Sequence, residues 1–266
     1  MHLTTRATTR WVFLASLLAA TETAAYSLAT SSPGKWGDPS LGAGATLSYS
    51  FMGPGLDTVN GTSVALSSFL PSGFEQDVSS AFDAWSAVAN LTFVEKPDPN
   101  VDYRGLGADT VDIRISGVIP ATSEILGSSF FPPVYGGAGA GDIQLSSTAN
   151  WRLSSASGPG ISVYLVAVHE IGHTLGLQHP GCGNPPACPD LGPYVGDPIS
   201  SRLMSPVYNA SLAGPQRDDI AGIQYLYGAA LTAEPVPLPA SVLLFPSAVG
   251  GWLVAGRRVR RPRRGR

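Results

Sequence analysis

The sequence predicts one α+β domain, and three observations carry that expectation. Strand-like runs dominate the first half, two amphipathic runs with helical spacing lie among and after them, and a long apolar run free of proline lies between. The first strand is Thr46-Leu47-Ser48-Tyr49-Ser50-Phe51, whose alternation predicts one face in the core and one in solvent. Pro71-Ser72-Gly73 introduces Phe74–Asn90, where Phe74, Val78, Ala81, Phe82, Trp85 and Val88 recur at helical spacing. Leu91–Glu95, Val111–Ser116 and Asp142–Leu145 read as further strands, the last preceded by the glycine-rich Gly136–Gly141. Val163–Leu175 is apolar throughout and predicts a largely buried helix, and Gln216–Tyr227 predicts an amphipathic one stopped by Gly228.

Both ends of the 266-residue chain read as something other than this domain. Residues 1–25 carry Arg6 and Arg10, an apolar run Trp11–Ala20 and the small residues Thr23-Ala24-Ala25, a pattern that predicts an export signal cut after Ala25. Cleavage after Ala29 and an uncleaved anchor are the alternatives. At the other end, 231–239 is a proline-rich linker, Ala240–Gly256 is an apolar stretch at the lower limit for a transmembrane segment, and 257–266 holds seven arginines. The arginine cluster predicts a cytoplasmic tail and places the 26–230 domain outside, at least transiently anchored in the inner membrane.

Charge sharpens the picture. The whole chain has a formal charge of −3, but Tyr26–Glu234 holds seven Lys/Arg against eighteen Asp/Glu, a balance of −11. An acidic, lysine-poor surface argues against nucleic-acid binding. The two cysteines, Cys182 and Cys188, predict a disulfide closing a short loop in an exported chain. The alternative makes Cys182 a metal ligand or inhibitory thiolate.

Chemistry concentrates in residues 169–179, His-Glu-Ile-Gly-His-Thr-Leu-Gly-Leu-Gln-His. His169 and His173, four apart on a helix, stack on one face and reach a single ion. Glu170 projects toward the same cleft without being a ligand, where it can take a proton from metal-bound water and pass it to a leaving amine. Gly176 tolerates the left-handed backbone that ends the helix, and the turn brings His179 back as third ligand. Three protein ligands leave one position open, as expected of a catalytic zinc. Of the four histidines, one lies at position 2 and the other three all belong to this motif.

The eleven-residue motif, followed by Met204 within Arg202–Tyr208, resembles the metzincin zinc peptidases, and in detail their matrixin branch. Lys35-Trp36, Phe130–Pro133, Gly141-Asp142-Ile143, Asn150-Trp151 and Asp218-Asp219-Ile220 extend the likeness over most of 35–228. The resemblance implies a twisted, mostly parallel sheet, an active-site helix and a small C-terminal subdomain. It implies a monomeric zinc endopeptidase acting on peptides or proteins. Met204 would floor the metal, Pro206-Val207-Tyr208 would line a specificity pocket, and Ile125–Ser129 would be the edge strand that takes an extended substrate. Ordinary core packing is the alternative role for Met204. At the positions where animal matrixins hold a second, structural zinc stand Ser128 and Gln144, so one Zn2+ is expected, and calcium is left open. Only residues 26–34 lie between the predicted signal and Lys35, too few for an inhibitory propeptide.

Val236-Pro237-Leu238-Pro239-Ala240, the apolar stretch and the arginines resemble the PEP-CTERM class of bacterial sorting signals. That likeness implies an exosortase-type membrane enzyme as partner, and release or attachment at the cell surface. A plain membrane anchor accounts for the apolar stretch and arginines equally.

Overall fold

The computed structural model describes residues 26–29, 34–105, 111–133, 137–180 and 201–231. The signal segment, the cysteine pair and the 240–256 stretch all lie outside these residues, and among the described ones no helix is long and apolar enough to cross a membrane. The chain divides into two units at Ala230/Leu231.

The first unit is built on a five-stranded sheet. In chain order its strands are β2 (Ala45–Phe51), β5 (Leu91–Glu95), β6 (Ile113–Val118), β7 (Gly127–Ser129) and β8 (Ile143–Ser146). Their spatial order is β5-β2-β6-β8-β7. All neighbours run parallel except β7, which pairs antiparallel with β8 and forms one edge. The short pairs β1 (Ser27–Leu28) with β11 (Leu177–Gln178), β3 (Asp57–Thr58) with β4 (Gly61–Thr62), and β9 (Trp151–Arg152) with β10 (Ile161–Ser162) complete the strands. The mostly parallel α+β architecture matches the expectation.

Helices α1 (Phe74–Ser86) and α2 (Val163–Thr174) pack on one another, and their apolar side chains share a core with one face of the sheet. That face supplies Leu47, Tyr49, Ile113, Ile115, Ile143 and Leu145. Tyr49 stacks on Phe82 of α1 with ring centroids 4.2 Å apart, an aromatic contact that adds about 0.5–1.5 kcal/mol to the area buried. The fully buried Trp85 donates its indole N–H to the Val168 carbonyl of α2 at 3.0 Å. Helix α1 ends at Ser86, short of the expected Asn90, because the following chain turns to the C-terminal end of the domain: Ala89 bridges Ala229 and the Asn90 amide donates to the Gly228 carbonyl.

The other face corrects the sequence expectation. Ser48 and Ser50 are buried rather than solvated. Ser48 donates through both its amide and its hydroxyl to Asp112, and Ser50 donates to Asp98. Asp112 therefore serves as a side-chain acceptor, and β6 begins at Ile113, two residues after the expected Val111. Asp98 also forms a buried, two-pronged ion pair with Arg114, at 2.8 Å on both prongs. Such a pair organises a fold more than it stabilises it, because both charges have lost their water.

Asp142 faces the same cluster. Burial raises its carboxyl from 3.8 to about 7; Arg114 opposes the rise and Asp98 adds to it. A carboxyl whose folded value lies above its unfolded one contributes stability that is whole below about 3.8 and is lost as pH rises through about 7. Asp142→Asn should therefore raise the melting temperature at pH 8.5 without added calcium, and the gain should vanish near pH 4. Thermal denaturation across that range checks it.

Candidate metal centre

Helix α2 begins at Ser162, whose hydroxyl accepts from the Leu165 amide. It runs through His169, Glu170 and His173 almost wholly buried, as its uninterrupted apolar sequence requires. Its last carbonyls are taken by distant side chains. The Trp36 indole donates to Thr174 at 2.7 Å, and the Tyr227 hydroxyl donates to Leu175 at 3.1 Å. Tyr227 lies on helix α3 (Arg217–Tyr227), so both ends of the domain hold the end of α2. There Gly176 adopts φ +105°, and a side-chain carbon on it would collide with the Gly34 carbonyl. The chain reverses into β11 and carries His179 back to the helix.

The three histidines meet at their Nε2 atoms, which lie 3.2, 3.1 and 3.1 Å apart. A tetrahedral cage with metal–nitrogen bonds of about 2.0–2.1 Å has edges of about 3.3–3.4 Å, so the triangle has the size that zinc requires. Tautomers point the same way. His169 Nδ1 donates to the Leu203 carbonyl at 2.7 Å and His173 Nδ1 to the Leu177 carbonyl at 2.8 Å, leaving lone pairs on their Nε2 atoms. Burial, with His169 and His179 adding, holds His173 well below its ordinary value; burial and then His169 hold His179 at about 4. Three ring nitrogens converging on one point, two of them on rings that burial keeps from protonating, form a ligand set, and the residues fit zinc.

Glu170 is buried beside them. Burial raises its carboxyl above the ordinary value, opposed by His169 and by a hydrogen bond donated from Ser129. The site opens into a cleft of about 520 Å³, bordered by β7 on one side and by Pro206, Val207 and Tyr208 on the other. Tyr208 is anchored there by accepting the Ser162 amide at its hydroxyl, 3.0 Å away. Met204 lies beneath α2, not in the cleft. Its sulfur stands against Gly172, where a side-chain carbon would come within 2.5 Å of it. The expected edge strand is regular over Gly127–Ser129, and its backbone hydrogen bonds continue at Leu126 and Phe130. Ser128 and Gln144 do not make a second zinc site. Asn60 donates to Gln144 Oε1 at 2.6 Å and to Ser128 at 3.2 Å, so a hydroxyl and two carboxamides bond one another where imidazoles would be needed.

One supporting residue had no signal in its spacing. Asp219, buried at the start of α3, accepts from the amides of Leu203 (3.2 Å), Met204 (3.3 Å) and Gln216 (2.8 Å). It fixes the peptide whose carbonyl orients His169, and in doing so locks Met204 under the helix. An acidic residue in the first turn of a helix was the sole local hint.

A helix bearing two histidines and a glutamate, with a third histidine returned to it, makes a three-nitrogen zinc centre with an acid–base group beside it. Comparison with known proteins adds to this: residues 64–183 match the family model described as Matrixin. The chain is 30% identical to karilysin of Tannerella forsythia over 154 residues, 58% of this chain and 28% of that protein. It is 32% identical to human matrix metalloproteinase-16 over 160 residues, 56% of this chain and 23% of that protein. With serralysin B of Dickeya chrysanthemi it shares 30% over 221 residues, 74% of this chain and 42% of that protein. The chain thus spans less than half the length of these curated relatives.

Asp219→Ala should weaken zinc binding about 10–100-fold, the usual effect of removing support behind a ligand. It should also lower stability by about 2–3 kcal/mol through the lost charged hydrogen bonds and helix cap. Competitive chelator titration and denaturant unfolding check the two parts.

Proposed function

We propose that the protein is an exported zinc endopeptidase that cuts peptide bonds within extracellular proteins. The observation that carries this reading is the triangle of converging Nε2 atoms with the Glu170 carboxyl group beside it, opening into a cleft. His169, His173 and His179 would hold the zinc, which when bound supplies Lewis acidity to a carbonyl and acidifies a water. The free edge of β7 has backbone groups to spare and suits an extended peptide adding as a strand. Pro206, Val207 and Tyr208 form the opposite wall and would select a side chain of that peptide. Glu170, screened from bulk water, takes the proton of the attacking water as the new C–O bond forms. It returns that proton to the departing amine as the C–N bond breaks.

Export rests on the leader-like pattern of residues 1–25 and on the acidic domain, and it suits a Cys182–Cys188 disulfide. Retention at the membrane, and sorting through the Val236–Ala240 motif, rest on the sequence pattern of 236–266. The extracellular relatives support the destination in its coarser form.

The full chain, incubated with a peptide library and read by mass spectrometry, should make internal cuts that a chelator abolishes. Glu170→Ala should lower kcat by about 10²–10⁴-fold while binding zinc normally. A folded, zinc-loaded wild type that cuts nothing would instead make the centre a structural metal clamp.

A further inference from the structure

Strand β7 has three residues, and their side chains alternate between its two faces. Ser128 turns toward Asn60 and Gln144, away from the metal centre. Gly127 and Ser129 turn toward α2 and meet Glu170. The Ser129 hydroxyl donates to Glu170 Oε2 at 2.6 Å, and among the described residues it is the group that hydrogen-bonds this carboxylate. Gly127 lies alongside the other oxygen. A side-chain carbon at that position would stand 2.7 Å from Oε1 and 3.0 Å from both Cγ and Cδ. The two positions therefore divide the carboxylate between them: Oε2 is tethered and Oε1 has room.

Granted the peptidase reading above, we propose that Ser129 is a positioning residue for Glu170, and that Gly127 supplies the space in which the tethered carboxylate operates. A glutamate side chain has three rotatable bonds, and the helix backbone restricts chiefly the first of them. A short hydrogen bond to an ionised oxygen is the strong kind, and it also directs the carboxylate plane. Backbone pairing of Ser128 with Gln144 and Ser129 with Ile143 fixes the strand, and the Asn60 cluster holds its far face. The tether is thus anchored to the sheet. With Oε2 occupied, Oε1 is the oxygen left to receive the proton of the attacking water. The strand whose free edge suits a substrate peptide also sets the aim of the general base, which ties substrate seating to proton transfer through one short element.

The test compares full-length, zinc-loaded wild type with Ser129→Ala, Ser129→Thr and Gly127→Ala, on a peptide that the wild type cuts. Misaiming a catalytic group by about an ångström costs up to about 100-fold. Ser129→Ala should lose about tenfold in kcat with KM within about twofold and with zinc content unchanged. Ser129→Thr, which keeps the hydroxyl and suits a strand, should retain kcat within about threefold. Gly127→Ala should lose about tenfold or more. Crystal structures of the variants should show Glu170 displaced in Ser129→Ala and in Gly127→Ala, and in its wild-type place in Ser129→Thr. Unchanged kcat in Ser129→Ala, or Glu170 unmoved in its crystal, would overturn the proposal. An equal loss in Ser129→Thr would assign the defect to strand packing and overturn it as well. If the wild type itself cuts no peptide, the peptidase reading fails, and the crystallographic comparison still decides whether β7 seats Glu170.

Discussion

Three imidazole Nε2 atoms held 3.1–3.2 Å apart are the constraint around which the domain is organised. Ring nitrogens so close crowd one another, and a bound cation would turn that crowding into ligation. Two of the rings are aimed from behind by backbone carbonyls, those of Leu203 and Leu177, and those carbonyls are fixed in turn. Asp219 pins the Leu203 peptide from the start of α3, and the pairing of β1 with β11 secures the chain at Leu177. Support thus arrives from residues near both ends of the domain. A metal bound here is therefore coupled to the closure of the whole fold rather than to one helix, which is the usual linkage of metal affinity with folding.

The sheet is built for that load. Its central strands are buried on both faces, one against α1 and α2 and the other under the Asp98–Arg114 pair. Burying serines and a guanidinium is tolerable only where each finds partners, and Ser48, Ser50 and Arg114 find them in Asp112 and Asp98. On the edge of this sheet, β8 holds β7 in register beside the centre.

What was legible in the sequence was local. The ligands and Glu170 lie within eleven consecutive residues, the spacing of four is helical, and Gly176 marks its own turn by being glycine. The helices and parallel strands were legible because their apolar residues recur at the right periods. What was not legible is long-range. Trp36 closes the end of α2 across 138 positions, Tyr227 across 52, and Ser129 reaches Glu170 across 41. No periodicity encodes such a pairing. The misjudged face of β2 has the same origin: alternation reports which residues are polar, not whether a carboxylate from another loop will cover them.

Strand β7 shows how little of this domain is idle. One of its edges is paired with β8 and the other is open to the cleft. One of its faces is bonded through Ser128 to the Asn60 cluster, and the other confronts the buried glutamate. Glycine and serine there would read as an exposed loop in a composition-based argument. Their smallness is instead what lets a strand edge, a helix and a carboxylate occupy adjoining space. Larger residues would fill the room beside Glu170, and purely apolar ones would leave its buried charge without a donor. The choice of Gly127 and Ser129 is thus dictated by the chemistry of their neighbour on α2, not by strand propensity, which disfavours glycine within a strand.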